Sequence, residues 1–328
     1  MVSASGVAGR SSVTRPVHLG IDIGGTASRW VACAPNGDVL ARGSASGATG
    51  HIFNPVEKER LRAALGIVST TLRQSGLHAI SVTSGMTGYG FAAESEVKAL
   101  VGSAFKVGDA GIVLMDDIIL AFTACFAPGE GHLISAGTGS IGIHITQSGS
   151  KFRVGGRGIL IDDAGSGSWI ALQALDRIYR VLDHEGSFVS VERLATHLFR
   201  GIGGSDWHDV RQFIYGGDRG RIGTLAVAVA RAAEEGDETA LALLRQAGFE
   251  LAQLGKALLG AVDDLPLNFI GGVFELHPSI FDEIERSLPH HIVRREAGDA
   301  ALAAARLQAM RHETAQHSIG WLGIVAAL

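Results

Sequence analysis

Acidic residues and glycine-rich turns are the features of this 328-residue chain whose types and spacing are suited to chemistry. The stretch "DIGGTASR" begins at Asp22, where the apolar run of residues 17–23 ends. Glycine lets a backbone approach a phosphate without a Cβ clash, so that N–H groups can be aimed at its oxygens. The stretch therefore predicts a phosphate loop, with a plain glycine hairpin as the alternative. The predicted nucleotide contacts are Gly24, Gly25, Thr26 and Ser28, and Asp22 is predicted to hold the Mg²⁺ of MgATP.

Two further glycine turns follow apolar runs in the second half of the chain. The stretch "SAGTGSIG", from Ser135, is a second turn of glycines and hydroxyl residues between two predicted strands. The stretch "FIGGV", from Phe269, places a glycine pair where an adenine could lie against the backbone. The alternative for "SAGTGSIG" is another hairpin, but a second loop of the same kind favours phosphate binding. For "FIGGV", a tight strand-to-helix turn explains the glycine pair equally well alone. The residues predicted to contact the nucleotide are Gly137, Thr138, Gly139, Ser140, Gly271 and Gly272.

A pair of acids, Asp116 and Asp117, stands between a predicted strand and a predicted helix. Phosphoryl transfer to a hydroxyl needs a carboxylate that accepts the hydroxyl proton. Aspartate is also a common helix N-cap, so one of the two could cap while the other catalyses. A loop, "GGRGILIDDAGSGSW" from Gly155, offers carboxylates and close backbone to a polyhydroxylated ligand, or is a glycine-rich surface loop capped by Ser166 or Ser168.

The elements that must position these residues follow a repeated order. A strand, a glycine turn and a strand occur from residue 17 and again from residue 132, which predicts two related α/β halves. We expect a disordered tail over residues 1–16, domains over 17–130 and 131–310, and a helix over 311–328 that packs towards the N-terminal domain. Other predicted elements are strands 30–34, 39–43, 79–82, 112–115 and 268–273, a loop at 84–88, and helices 57–75, 118–125, 169–181, 225–259, 299–311 and 321–328.

Composition excludes several classes of protein. The net charge is -5, which gives no basic excess for nucleic acid. Cys33 and Cys125 form no CxxC motif or disulfide framework and indicate a reducing compartment. Residues 1–15 lack the apolar core of a signal peptide, and the longest apolar runs are too short for a bilayer, so a cytoplasmic protein without membrane partners is predicted.

The order of these motifs resembles the N-acetylglucosamine and glucosamine kinases of the BadF/BadG/BcrA/BcrD ATPase group, within the actin-like ATPase superfamily. "DIGGTASR", "SAGTGSIG", "GGRGILIDDAGSGSWIA" and the helical stretch from Tyr215 to Gly248 carry the resemblance. It implies an α/β fold of two ribonuclease-H-like domains, with ATP and a sugar in the cleft between them. It further implies transfer of the γ-phosphate of MgATP to the sugar 6-hydroxyl, and a homodimer.

The same resemblance assigns roles residue by residue. Thr26 and Thr138 match the phosphate-contacting threonines, and Asp117 matches the catalytic acid, with Asp116 where Asn or Thr is usual. Asp163 matches a sugar-binding carboxylate, and the turn before it falls on Gly156, Arg157 and Gly158. Ala230 matches a position that lines the nucleotide pocket. Thr49 lies nearest to a sugar-contacting Asn, whose role could instead have moved to Asn54.

Departures from the family pattern lie on the sugar side. Arg157 stands where Trp is common and Ala164 where Glu is common, and Thr49 replaces the Asn. The acetamido specificity is therefore open, and Arg157 faces either an anion on the substrate or solvent. The ROK sugar kinases share "DIGGT" but carry a cysteine-rich zinc segment, which is absent here, so no zinc is predicted.

Two other functions stay open. One is an ATPase that activates an acyl-CoA dehydratase or reductase through an iron–sulfur cluster, although Cys33 and Cys125 fall in predicted strand and helix interiors. The other is a sugar or nucleotide sensor without catalysis.

Overall fold

Two compact α/β units make up the computed structural model, which describes residues 14–217 and 219–314. The chain passes from the N-terminal unit to the C-terminal unit between Ala124 and Cys125, and returns between Gly298 and Asp299. Each unit holds one five-stranded sheet.

The sheet of the N-terminal unit has the order β3-β2-β1-β4-β5. β1 pairs antiparallel with β2 and parallel with β4, β2 pairs antiparallel with β3, and β4 pairs parallel with β5. The strands are β1 (Arg15–Ile23), β2 (Ala27–Cys33), β3 (Val39–Ser46), β4 (Leu77–Met86) and β5 (Ile112–Asp116), and the helices are α1 (Pro55–Gln74), α2 (Glu94–Phe105) and α3 (Asp117–Cys125).

Local sequence explains the main helix of this unit. α1 begins after Asn54, whose side chain accepts a hydrogen bond from the Val56 N–H, and it has Pro55 at its first position. A stripe at helical spacing, Leu61, Leu65, Val68 and Leu72, is buried against the sheet core. The predicted helix 57–75 is thereby confirmed, with an earlier start.

β4 corrects two sequence predictions. Residues 84–86, predicted as loop, belong to the strand because Ser84 and Gly85 pair with both β1 and β5. A Cβ on Gly85 would lie 2.7 Å from the Leu120 side chain, so glycine here permits close packing of α3. Arg15 and Pro16, predicted as tail, pair with Leu77 and His78 at the start of the same strand.

The C-terminal unit repeats the layout, with the sheet order β10-β9-β6-β7-β8. β6 is antiparallel to β7 and parallel to β9, as β1 is to β2 and β4, so the predicted two related halves are confirmed. The strands are β6 (His132–Ala136), β7 (Ser140–Ile145), β8 (Lys151–Gly155), β9 (Leu267–Ile270) and β10 (Val293–Arg294). The helices are α4 (Gly167–Glu185), α5 (Glu192–Ile202), α6 (Trp207–Tyr215), α7 (Arg219–Gly223), α8 (Ala226–Glu234), α9 (Glu238–Ala261) and α10 (Pro278–Ser287).

Two predicted elements of this unit are shorter than expected. The helix predicted over 225–259 is two helices, because Gly236 adopts φ +83° and Asp237 caps α9 by accepting from the Ala240 N–H at 2.9 Å. The strand predicted over 268–273 ends at Ile270, since Gly271 adopts φ +117° and a 3₁₀ turn, Gly272–Glu275, follows.

The closing helix, α11 (Ala300–Thr314), belongs to the N-terminal unit, whereas the predicted boundary kept residues up to 310 in the second domain. It lies so close to β1 that a Cβ on Gly20 would come within 2.0 Å of the Ala301 carbonyl oxygen. Small side chains on both elements, Gly20 with Ala301, Ala304 and Ala305, allow this approach. The first boundary likewise falls at 124/125 instead of 130/131. Residues 315–328, with the helix predicted there, lie outside the described part.

In the described part of the chain, no helix combines the length and the apolar character that crossing a membrane requires.

Candidate functional site

The carboxyl ends of three parallel strands meet at one edge of the N-terminal sheet. Ile23 of β1 is in register with Met86 of β4, and Met86 with Asp116 of β5. The polar residues at these ends, Asp22, Thr87 and Asp117, are therefore brought together. Ligand sites in α/β proteins lie at such strand ends.

Asp117, the predicted catalytic acid, is the first residue of α3 and is half-buried. The Thr87 hydroxyl donates to its Oδ2 at 2.5 Å. Thr87 is fixed in turn by its own N–H, which donates to the Ile23 carbonyl at 3.0 Å. Asp117 is therefore held in a fixed orientation through Thr87. Asp116 is the last residue of β5.

Asp22, the predicted metal ligand, lies near the end of β1 among other acids. Burial raises the pKa of Asp22 above its ordinary value, the charges of Asp117 and Asp299 raise it further, and Arg29 opposes them. A divalent cation would relieve this concentration of negative charge, so the residues fit Mg²⁺. The described residues contain no cluster of three or more His, Cys, Asp or Glu that could hold a metal. Mg²⁺ commonly needs only one or two carboxylates, with phosphate and water as its other ligands.

The first glycine loop is a tight turn in which the Gly24 N–H donates to the Ala27 carbonyl at 3.1 Å. Gly25 and Thr26 are exposed, and a Cβ on Gly25 would meet nothing within 4 Å. Ser28 differs, because its side chain is buried and its hydroxyl donates to the Ser46 carbonyl at 2.9 Å. The exposed hydrogen-bond donors of this loop therefore come from Gly25 and Thr26 at its tip.

Thr49, predicted to contact the sugar, lies on a segment that touches this loop. Its hydroxyl donates to Glu57 Oε2 at 2.8 Å and accepts from the His51 N–H at 3.3 Å. The neighbouring Ala48 N–H donates to the Gly24 carbonyl at 3.1 Å. Asn54, the predicted alternative to Thr49 as the sugar contact, uses its side chain to cap α1.

The second glycine loop connects β6 and β7 in the C-terminal unit. It closes through the Gly137 N–H and the Gly139 carbonyl at 2.9 Å. The first N–H groups of α4 hold it from behind, with Gly167 donating to Gly137 and Ser168 to Thr138. The Ser140 hydroxyl is buried and donates to the Ala164 carbonyl at 2.7 Å.

Asp163 and Arg157, both predicted on the sugar side, have different surroundings. Asp163 is 5% exposed, and a Cβ on Gly139 would lie 3.0 Å from its Oδ1, so its carboxylate packs on the second loop. Arg157 stands on an exposed turn and pairs with Asp162 at 2.8 Å. Gly156 and Gly158 adopt φ +67° and +94°, conformations that favour glycine.

The predicted adenine-side residues are also in the C-terminal unit. A Cβ on Gly271 would lie 2.2 Å from the Ala136 carbonyl oxygen, so this turn packs beside the second loop. Gly272 is exposed and has open space at its Cβ position. Ala230 lies on α8 and is only 4% exposed, so its side chain belongs to the helical core.

Three polar residues of the site were not predicted from sequence. Thr87 orients Asp117, Asp299 contributes to the charge around Asp22, and Arg60 of α1 donates to the Gly25 carbonyl. Thr87 could have been found, because it directly follows a strand. Asp299 and Arg60 reach the site from distant segments and leave no local signal.

Known proteins were compared with this chain by family, sequence and structure. Residues 19–299 match the BadF/BadG/BcrA/BcrD ATPase family. The N-acetylmuramic acid/N-acetylglucosamine kinase of Clostridium acetobutylicum is 26% identical over 190 residues, which are 54% of this chain and 59% of that protein. The matched region thus spans about three fifths of the relative.

Solved structures share the fold. A protein from Chromobacterium violaceum, provisionally named an N-acetylglucosamine kinase, has a TM-score of 0.67 at 24% identity, covering 89% of this chain and 98% of that one. One from Porphyromonas gingivalis with the same provisional name also scores 0.67, at 16% identity, with 90% and 99% covered. A ROK family glucokinase from Streptomyces griseus scores 0.54 at 17% identity, with 89% and 98% covered. The chain therefore shares its fold with these proteins, and it belongs to the BadF/BadG/BcrA/BcrD ATPase family.

Proposed function

We propose that this protein is an ATP-dependent amino-sugar kinase that transfers the γ-phosphate to the 6-hydroxyl of N-acetylglucosamine or glucosamine. The observation that carries the proposal is Asp117, held by Thr87 at the carboxyl ends of three parallel strands beside Asp22. The names of the relatives, which include an N-acetylmuramic acid/N-acetylglucosamine kinase, support sugar phosphorylation.

In the proposed reaction, Asp117 accepts the proton of the attacking sugar hydroxyl. The sugar oxygen forms a bond to the γ-phosphorus as the bond from this phosphorus to the bridging oxygen breaks, and ADP leaves with that electron pair. Thr87 keeps the carboxylate in place through its hydrogen bond to Oδ2. In the N-terminal unit, the backbone N–H groups of Gly25 and Thr26 stabilise charge on the phosphates. Asp22 would hold Mg²⁺, which would supply further neutralisation of that charge.

Recognition of the sugar is assigned to Asp163, Thr49 and the turn of Gly156, Arg157 and Gly158. Arg157 is already paired with Asp162, so a substrate anion would have to share or replace that partner. N-acetylmuramic acid carries a carboxylate that glucosamine and N-acetylglucosamine lack. A preference for N-acetylmuramic acid over the other two sugars would favour a role of Arg157 in binding the anion. Similar activity with all three sugars would favour a role of Arg157 within its own turn.

The test is ADP release, measured in a coupled assay with glucosamine, N-acetylglucosamine, N-acetylmuramic acid and neutral hexoses. We expect an amino sugar to give the highest kcat/KM, and NMR of the product to place the phosphate on the 6-oxygen. A panel in which only neutral hexoses react, or a product phosphorylated elsewhere, would contradict the assignment. We also propose a cytoplasmic homodimer, and light scattering of the purified protein tests the oligomeric state.

The iron–sulfur alternative has little support from the two cysteines. Cys33 is fully buried beside Val31, Ala301 and Ala305, and burial raises the pKa of its thiol. Burial also raises the pKa of the Cys125 thiol. Cluster ligands are thiolates, so both cysteines are better suited to packing.

A further inference from the structure

Arg60 of α1 reaches the back of the first glycine loop. Its Nη2 donates to the Gly25 carbonyl at 3.1 Å and to the Gly47 carbonyl at 3.2 Å. Its Nη1 donates to Glu57 Oε1 at 2.7 Å. One guanidinium thus binds the loop, the segment beside it and an acid on its own helix, a pattern that the planar fork of arginine suits.

Glu57 extends this set of contacts to Thr49. Its second oxygen, Oε2, accepts from the Thr49 hydroxyl at 2.8 Å, and its side chain is 17% exposed. The hydrogen bond from Thr49 is the main cause that lowers the pKa of Glu57, and Arg60 lowers it further against the effect of burial. We name Thr49, Glu57 and Arg60 the α1 clamp.

Arg60 of the clamp, together with the Ala48 N–H, sets the direction of the loop's amides. The Gly24 carbonyl accepts from the Ala48 N–H, and the Gly25 carbonyl accepts from Arg60, so both point towards the segment beside the loop and α1. None of the described peptide bonds is cis, and in a trans peptide the N–H points opposite to the carbonyl. The N–H groups of Gly25 and Thr26 are therefore turned outward together. Successive outward amides form an anion-binding nest.

The first glycine loop packs closely against the segment that contains Gly47. A Cβ on Gly47 would lie 2.3 Å from the Gly25 carbonyl oxygen and 2.4 Å from the Thr26 carbonyl carbon. Thr49 follows two residues later on the same buried stretch. A shift at the loop therefore reaches the segment assigned to the sugar.

We propose that Arg60 is a positioning residue that presents the Gly25 and Thr26 amides to the phosphates of ATP, and that Glu57 couples this loop to Thr49. The coupling half of this inference rests on the proposed sugar kinase activity, whereas the positioning half requires only that the loop binds a nucleotide.

The helix supplies its own matched control. Arg62 pairs with Glu59 at the same three-residue spacing, and both side chains are exposed at 55% and 65%. An exposed pair of this kind contributes little to stability, so its loss should not affect nucleotide binding. Arg60→Ala and Arg62→Ala therefore remove similar ion pairs, but only the first removes contacts to the loop.

The first experiment is calorimetric titration of each variant with a non-hydrolysable ATP analogue and Mg²⁺, without sugar. We expect Arg60→Ala to weaken binding about tenfold, Arg60→Lys to recover part of it, and Arg62→Ala to bind as the wild type does. Thermal melting should show similar stabilities for the Arg60→Ala and Arg62→Ala variants. Equal analogue affinity in these two variants would overturn the positioning role, even if the protein phosphorylates no sugar.

The second experiment tests the coupling with kinetics on the sugar that the panel identifies. Glu57→Gln should raise KM for both ATP and the sugar, and its effect should not add to that of Arg60→Ala in a double-mutant cycle. The same cycle with Arg62→Ala should be additive. Additive effects of Glu57→Gln and Arg60→Ala, or a Glu57→Gln variant that leaves both KM values unchanged, would overturn the coupling. Failure of the wild type on every sugar would instead reject the proposed function, and the coupling with it.

Discussion

At the scale of single residues, the function depends on which polar atoms are presented and which are committed to the fold. The loop residues Thr26 and Thr138 stand at turn tips, whereas the hydroxyls of Ser28 and Ser140 donate to the backbone carbonyls of Ser46 and Ala164. Residue type alone cannot separate these cases. The sequence could predict roles for Asp22 and Asp117 because each stands in a local motif, but not for Arg60, whose partners lie 13 and 35 residues away.

Thr87 offers a prediction at this scale. Thr87→Val keeps the side-chain volume and removes the hydroxyl that donates to Asp117. We expect kcat to fall about tenfold because a hydrogen bond to a charged group is lost, with KM for ATP unchanged. Thr87→Ser should restore most of the rate in steady-state assays. A serine variant as slow as the valine variant would show that the methyl group, and not the hydroxyl, matters.

At the scale of elements, the strands and glycine turns could be predicted, but several boundaries could not. Ser84 and Gly85 have weak strand preference, yet they continue β4 because neighbours pair with them on both sides. The break between α8 and α9 depends on Gly236, which the alanine-rich pattern around it obscures. Such features are decided by tertiary pairing and backbone conformation, which periodicity does not reveal.

The contact between β1 and α11 gives a stability prediction. Gly20→Val would place side-chain atoms where the Ala301 carbonyl and the Ala305 N–H now lie, at 2.0 and 2.3 Å from the Cβ position. We expect a loss of about 3 kcal/mol or more in the free energy of unfolding, measured with urea. Gly66→Ala on α1 is the control, because its Cβ would meet nothing and alanine favours a helix by about 1 kcal/mol. Equal effects of the two changes would argue against the close packing.

His132 gives a pH prediction for the C-terminal sheet. Burial lowers the pKa of His132, which is fully buried and bonded to the Asp263 carbonyl at 3.0 Å. The unfolded chain therefore binds a proton at higher pH than the folded chain. Stability is present above the unfolded pKa of about 6.5 and declines as pH falls through it towards the lower folded pKa. His132→Gln should flatten this decline in urea midpoints from pH 8 to 5, and parallel curves would contradict the assignment.

At the scale of the whole molecule, two units of the same topology divide the chain unequally. The C-terminal unit is continuous, whereas the N-terminal unit needs α11 from the end of the described sequence. The repeat of strand and glycine turn predicted the two halves. This repeat could not predict that the chain re-enters the N-terminal unit at Asp299. That re-entry depends on alanines of α11 that pack against Gly20, which is far away in sequence.

This division predicts how fragments behave. Residues 125–298, expressed alone, should fold cooperatively, because they retain their sheet and hydrophobic core. Residues 1–124 alone should not, since the face of β1 that α11 covers would be exposed. Circular dichroism and urea unfolding of both fragments provide the measurement. A well-folded 1–124 fragment would show that α11 is dispensable.

The central claim is that Asp117 removes the proton of a sugar hydroxyl during phosphoryl transfer. The most direct measurement compares sugar-dependent ADP formation by the wild type, Asp117→Asn and the exposed-acid control Asp109→Asn, with binding of an ATP analogue measured in parallel. We predict that Asp117→Asn lowers kcat by about 10²–10⁴-fold, while it still binds the analogue and the control stays active. Turnover by Asp117→Asn near the wild-type rate would contradict the account.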